Sequence, residues 1–195
     1  KNNLLQVFPD LTCLPGATES DIEMIRIDSM QQRQSHWPTD KIGDEGYILD
    51  ISSQKISLAA HTEAGLYYGS QTLLQLFSSY GERNFIPCCE IVDWPDFQYR
   101  GWQDDVSRGP IPTMDYLKKQ IRTLASYKMN CMTLYTEDIF KLKKHPTLAP
   151  PDGLTANQIQ ELDAYAQQHF VELIGNFQSF GHMGKILRHP QYEHL

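Results

Sequence analysis

Asp93-Trp94-Pro95-Asp96-Phe97-Gln98-Tyr99-Arg100-Gly101-Trp102-Gln103-Asp104-Asp105-Val106-Ser107-Arg108 is the stretch on which the reading of this 195-residue chain turns. Pro95 stiffens the chain and resists pairing, so Asp93-Trp94-Pro95 reads as a joint between domains. An extended apolar run follows, expected as a strand over Phe97–Gln103, and it delivers Asp104, Asp105 and Arg108 to its carboxyl end. A helix and a second strand come at once. This is the opening rhythm of a (β/α) barrel, whose active sites are built at the carboxyl ends of the strands. Only about a hundred residues remain after the joint, against the roughly 250 of a full barrel.

Downstream, the strand–helix alternation continues, as in a parallel sheet with crossover helices. Thr113 is expected to cap a helix to about Lys128, with Leu117, Ile121, Leu124 and Ala125 on its inner face. Asn130–Tyr135 reads as the second strand. Thr155-Ala156-Asn157-Gln158 has the form of a capping box, opening a helix with Ile159, Leu162, Ala166 and Phe170 inward. Val171–Asn176 reads as the third strand. Trp102 is expected to pack in or near the barrel.

Upstream of the joint the chain reads as a small α+β unit. Ile22–Asp28 alternates with period two, as a half-buried strand does. Gly46–Ile51 and Lys55–Ala60 flank Ser52-Ser53-Gln54 as a hairpin. The period then changes to helical over Ala64–Phe77, where Gly69 and Ser70 lie on the face of Leu66 and Leu73, so that the helix can approach a sheet closely. Tyr80-Gly81 reads as its stop. The expected domains are residues 1–92 and 93–195.

Composition narrows the function. A formal charge of −7 with scattered acidic residues argues against a nucleic-acid partner. No apolar run approaches the roughly 18 residues of a membrane span. The chain shows neither an initiator Met nor a signal-peptide apolar region, which reads as a processed or trimmed product. Cys13, Cys88, Cys89 and Cys131 have no metal-type spacing, which leaves their disulfide status open, and one of Cys88 and Cys89 is expected to face the core. His189 and His194 fit no zinc pattern and read as surface residues. No phosphate-cradling glycine motif is present. No metal and no cofactor are expected.

What remains is the polar set at the strand ends: Asp104, Asp105 and Arg108 with Arg100 shortly before, then Glu137 and Asp138, then Asn176, Gln178 and His182. Carboxylates, guanidinium and imidazole converging on one mouth suit a polyhydroxylated ligand, since each hydroxyl both donates and accepts. Asp105 and Arg108 read equally as a structural ion pair that holds the strand end. Glu137 and Asp138 are adjacent, and in a strand they would point to opposite sides, with at most one of them facing the mouth.

On these residues the chain resembles the family 20 glycoside hydrolases, the β-N-acetylhexosaminidases. Gly65-Leu66-Tyr67-Tyr68-Gly69-Ser70-Gln71-Thr72-Leu73-Leu74-Gln75-Leu76 resembles the accessory domain before their barrel. Asp93-Trp94-Pro95, Tyr99-Arg100-Gly101 and Asp105-Val106-Ser107-Arg108 resemble the barrel opening, Thr136-Glu137-Asp138 the second strand end, and Gly181-His182 the loop after the third. The resemblance implies a zincin-like α+β domain followed by about three β/α units of a truncated (β/α)8 TIM barrel. It implies that Arg100 holds hydroxyls of a terminal N-acetylhexosamine, with Glu137, Asp138 and His182 in the binding site and its supporting network, while Asp105 and Arg108 are expected to hold the strand end in place. It further implies substrate-assisted retaining hydrolysis, an exception to the two-carboxylate nucleophile scheme, and a periplasmic or extracellular setting. The family's catalytic Asp-Glu pair follows the fourth strand, so this chain alone is expected to be inactive. It departs from the family in having Glu137 where the family usually has Asp, and Phe180 where it has Pro. The alternative from the residues is a non-catalytic carbohydrate-binding or scaffold module. A half-barrel leaves its third strand edge open, and self-association is expected there.

Overall fold

The computed structural model describes residues 22–26, 39–80, 86–192 and 194. Cys13, Ile27-Asp28, Trp37-Pro38 and the Gly81 helix stop lie outside the described residues. The chain divides into two compact units, Lys1–Gln98 and Tyr99–Leu195.

The first unit holds β1 (Ile22–Arg26), β2 (Tyr47–Ile51), β3 (Ile56–Ala60), helix α1 (Glu63–Tyr80) and β4 (Cys89–Asp93). Its sheet runs β1-β3-β2-β4, with β1 parallel to β3 and the other pairs antiparallel. Thr62 caps α1 by accepting from the Gly65 N–H at 3.2 Å. Tyr47, Ile48, Leu49, Leu58, Ala59 and Ala60 are all buried, because both faces of the central strands are covered. Ile48 and Ala59 pack with Ile42 and Val92 on one face. On the other, α1 comes so close that a Cβ at Gly69 would lie 2.3 Å from Leu58 Cδ1. The buried Tyr47 hydroxyl donates to Asp93 Oδ2 at 2.8 Å and meets Thr72 Oγ1 at 2.6 Å, which satisfies it. Cys88 is exposed, Cys89 is half-buried at the start of β4, and both are free thiols, as is the buried Cys131 of the second unit.

The second unit alternates β5 (Gly101–Asp105), α2 (Met114–Ser126), β6 (Cys131–Tyr135), α3 (Ala156–Gln168) and β7 (Glu172–Ile174), then a short helix α4 (Gly184–Leu187). Its three strands form a parallel sheet in the order β5-β6-β7. Thr113 caps α2 by accepting from the Tyr116 N–H, and Leu117, Ile121, Leu124 and Ala125 are its buried residues. Both arms of the Thr155–Gln158 capping box are made, and Leu162 and Ala166 are buried on α3. Each helix ends with a left-handed residue, Lys128 (φ 58°) and Phe170 (φ 56°). The N–H of the following residue reaches back to Leu124 O or Ala166 O, the six-to-one bond of a Schellman cap.

Three expectations are corrected here. The first strand is Gly101–Asp105, not Phe97–Gln103, because the ladder begins at Gly101↔Cys131 while Phe97 and Tyr99 stand 73% and 66% exposed. The third strand is shorter than expected: the Val171 N–H closes the α3 cap, so pairing starts at Glu172 and ends at Ile174. Trp102 is 53% exposed rather than packed, since β5 is an edge strand of the described sheet.

Candidate functional site at the strand ends

The carboxyl ends of β5 and β6 are where the charged side chains meet. β5 ends at Asp105, and the Ser107 N–H and hydroxyl fold back onto Asp105 Oδ1 at 3.1 and 2.7 Å, closing a turn that presents Arg108. Asp105 Oδ2 accepts from Arg108 Nη1. The other terminal nitrogen, Nη2, donates to Glu137 Oε1 at 2.8 Å. The side chain of Glu137 is only 7% exposed, whereas that of Arg108 is 53% exposed. A nearly buried carboxylate therefore steers a cation that faces solvent. Burying that carboxylate is tolerable because it is paired.

Tyr135, the last residue of β6, is the floor beneath them. The Arg108 guanidinium lies 5.2 Å from its ring centroid, and the His182 ring meets it edge-on at 5.8 Å. Its hydroxyl donates to Glu137 Oε1 at 3.3 Å. His182 Nδ1 stands 3.3 Å from both Arg108 Nη2 and Glu137 Oε1. With the ring proton on Nε2 it accepts from the guanidinium; with a proton on Nδ1 it donates to the carboxylate. His182 holds φ 58°, a left-handed backbone unusual for a non-glycine, and such strain concentrates at functional sites. Lys185 of α4 completes the group, reaching Asp138 Oδ1 at 3.0 Å, Glu137 Oε2 at 3.4 Å and the Ser107 carbonyl at 3.1 Å.

Of the residues singled out from the sequence, the structure brings Glu137, Asp138 and His182 together. Arg100 is elsewhere. It precedes β5 at the amino end, its Nε donating to Lys128 O at 2.8 Å and its backbone exchanging bonds with Asn130. Five residues of strand, about 17 Å at 3.3 Å each, separate the two ends. The premise that Glu137 and Asp138 lie in a strand is also corrected. β6 stops at Tyr135, so the pair lies in a turn where strand alternation no longer applies, and both carboxylates converge on Lys185. Asp104 turns away to accept from Gln120 of α2. Asn176 and Gln178 bond to one another. Tyr135 and Lys185 went unread in the sequence. An imbalance could have pointed to a second cation: three carboxylates gather at the strand ends around one guanidinium. Among the described residues no group of His, Cys, Asp and Glu is arranged to hold a metal ion, and no helix is long and apolar enough to cross a membrane.

The Ser107 hydroxyl first, then its N–H and the Arg108 guanidinium, hold the Asp105 carboxyl below the usual carboxylate range, against the opposing effect of desolvation. A carboxyl lowered on folding stabilises the native state above its unfolded value, near 3.9. That contribution is lost as the pH falls through the folded value. The stability difference between wild type and Asp105→Asn is thus expected to shrink as the pH drops below about 4. Urea midpoints measured against pH would read it, and a pH-independent difference would remove Asp105 from this role.

Comparison with known proteins follows the same division of the chain. The model for glycosyl hydrolase family 20, domain 2, matches residues 10–94, and that for the family 20 catalytic domain matches residues 97–194. The chain is 31% identical over 173 residues to a β-hexosaminidase of Porphyromonas gingivalis, covering 76% of this chain and 22% of that protein. It is 37% identical over 97 residues to a β-N-acetylhexosaminidase of Cellulomonas fimi, covering 49% of this chain and 19% of that one. It therefore spans about a fifth of the length of these relatives. Among solved structures it superposes on the chitobiase of Flavobacterium johnsoniae with a TM-score of 0.70 at 27% identity, over 91% of this chain and 27% of the other. A mutant Streptomyces plicatus β-hexosaminidase in complex with its product GlcNAc gives a TM-score of 0.69 at 26% identity, over 86% of this chain and 36% of that one.

Proposed function

Since the chain belongs to glycosyl hydrolase family 20, we propose that it is part of an exo-acting β-N-acetylhexosaminidase, supplying the accessory domain and the first three β/α units of a (β/α)8 barrel. The observation that carries this reading is Arg108, half-exposed at the end of β5 and fixed through both terminal nitrogens by Asp105 and Glu137. A guanidinium so held offers a planar fork of donors, suited to two neighbouring hydroxyls of a terminal sugar. Arg108 thus takes the role expected of Arg100, and Glu137, Asp138 and His182 form the network that orients it.

Within such an enzyme these residues bind and orient; they do not break the glycosidic bond. In the substrate-assisted scheme the sugar's own 2-acetamido oxygen attacks the anomeric carbon, while a Glu protonates the leaving group and an Asp orients the acetamido group. We assign both to a further β/α unit beyond these residues. The ligand class is N-acetylhexosamine-bearing glycans, met in the periplasm or outside the cell. Among the described residues β5 and β7 are the edges of the second sheet, and such edges invite pairing with another copy.

The test is hydrolysis of a chromogenic N-acetylglucosaminide by the 195-residue chain and by the product of the longer gene. Turnover is expected from the longer protein alone. Turnover by the 195-residue chain would refute the assignment of the acid catalyst, and an inactive longer protein that still binds N-acetylglucosamine would instead support a carbohydrate-binding module.

A further inference from the structure

We propose that Lys185 is a positioning residue for sugar binding: through Glu137 and the Ser107 carbonyl it fixes the orientation of Arg108. The proposal rests on the reading of Arg108 as the sugar-binding cation and extends it to a residue in a different loop, on α4 after β7.

The geometry is that of a three-point clamp. A lysine ammonium carries three N–H donors, and three acceptors surround this one: Asp138 Oδ1 at 3.0 Å, the Ser107 carbonyl at 3.1 Å and Glu137 Oε2 at 3.4 Å. Ser107 belongs to the turn after β5, Glu137 and Asp138 to the turn after β6, and Lys185 itself follows β7. One ammonium therefore ties together the carboxyl ends of all three strands.

Its connection to Arg108 runs along two short routes. Glu137 offers one oxygen to Arg108 Nη2 and the other to Lys185. With each oxygen on a different cation, the carboxylate plane is fixed, and so is the direction from which it holds the guanidinium. The second route is covalent, since the clamped carbonyl belongs to the residue that immediately precedes Arg108.

An exposed ion pair would be worth little by itself, and the Lys185 side chain is 43% exposed. Two features set this contact apart. Glu137 is nearly buried, so losing one of its cations leaves a buried carboxylate short of charge. And one of the three acceptors is backbone, which binds a turn rather than another mobile side chain. The Asp138 and Glu137 carboxylates also push the Lys185 ammonium up from its ordinary value, so it stays charged throughout the working range.

The experiment uses the full-length gene product. Lys185→Met is expected to raise KM for a chromogenic N-acetylglucosaminide about tenfold, the scale of one charge-assisted hydrogen bond, with kcat within about threefold of wild type. Lys185→Arg should recover only part of this, because a planar fork cannot meet three diverging acceptors. A merely structural role would lower the melting temperature and the active fraction, and so kcat, without moving KM. An unchanged KM in Lys185→Met overturns the proposal. Should that variant fail to fold, Lys185→Gln, which keeps two donors without the charge, takes its place with a smaller rise expected in KM. Hydrogen exchange supplies a readout independent of turnover: residues 106–108 and 136–138 are expected to exchange faster in the variant than in wild type. If the wild-type protein proves inactive on hexosaminides, the functional reading fails by itself, while unchanged exchange at those residues would dispose of the clamp.

Discussion

Arg108→Met in the full-length protein is expected to lower kcat/KM for a terminal N-acetylhexosaminide by about 10²- to 10⁴-fold. Hydrogen bonds to a charged group contribute roughly 1.5–3 kcal/mol each. Losing two of them, at 1.36 kcal/mol per factor of ten, gives that range. The structure adds a second cost. Without the guanidinium, Asp105 loses its only ionic partner among the described residues, and Glu137, 7% exposed, is left with the Lys185 ammonium, the Tyr135 hydroxyl and the His182 ring. A fall in melting temperature should therefore accompany the kinetic loss. Arg108→Lys keeps the charge but not the fork, so it should restore stability better than kcat/KM. The control is Arg100→Met, at the amino end of β5, which should leave kcat/KM within about threefold. If the two arginine variants behaved in the reverse order, the sugar would not be at the carboxyl ends of these strands, and the placement of the site would be wrong.

The position of Arg100, at the amino end of β5 rather than at the mouth, shows what the sequence could and could not reveal. The helices were legible because their evidence is local. Leu117, Ile121, Leu124 and Ala125 declare a buried stripe by spacing alone, and Thr113 and Thr155 declare its boundaries by capping. Strand limits are not local. The alternation of Phe97, Tyr99 and neighbouring residues satisfies a strand pattern, but pairing begins only where a partner exists, at Gly101↔Cys131. There a Cβ would come within 2.6 Å of Cys131 Sγ, so the glycine spares Cys131 a change of rotamer. The displaced strand start moved Arg100 from the expected mouth to the opposite end. The reading of Glu137 and Asp138 failed for a related reason: their presence at a strand end was legible, but the end of the strand at Tyr135 was not, and the parity rule was carried one turn too far. Lys185 was illegible because a single lysine on a four-residue helix has no pattern of its own. Its partners are 47 and 78 residues away in sequence.

The second large effect concerns stability, and its sign is opposed to helix propensity. Gly65 and Gly69 both lie inside α1, where replacing Gly by Ala normally stabilises by about 1 kcal/mol. Here both substitutions are expected to destabilise, because α1 lies against the sheet at just these points. A Cβ at Gly69 would fall 2.3 Å from Leu58 Cδ1 and 2.9 Å from the Tyr47 ring. Both are side-chain atoms. The Leu58 methyl can rotate aside, though Tyr47 is held by Asp93 and Thr72. At Gly65 the obstacle is backbone: the new methyl would lie 2.4 Å from Gly46 O, with Ala60 Cβ at 2.7 Å and Asp44 O at 3.3 Å. Gly46 is itself fixed, its N–H bonded to Ile42 O at 2.9 Å at the entrance to β2. Overpacking of this kind costs about 1–3 kcal/mol when side chains can adjust, and more when they cannot. Gly69→Ala should therefore lose about 1 kcal/mol net and Gly65→Ala about 2 kcal/mol or more. Gly65→Val should lose still more, since β-branching adds bulk at the same contact. Urea denaturation followed by circular dichroism would rank the three. A stabilised Gly65→Ala would mean that α1 does not rest on the 44–46 turn, and the packing that makes this helix and sheet one unit would have to be redrawn.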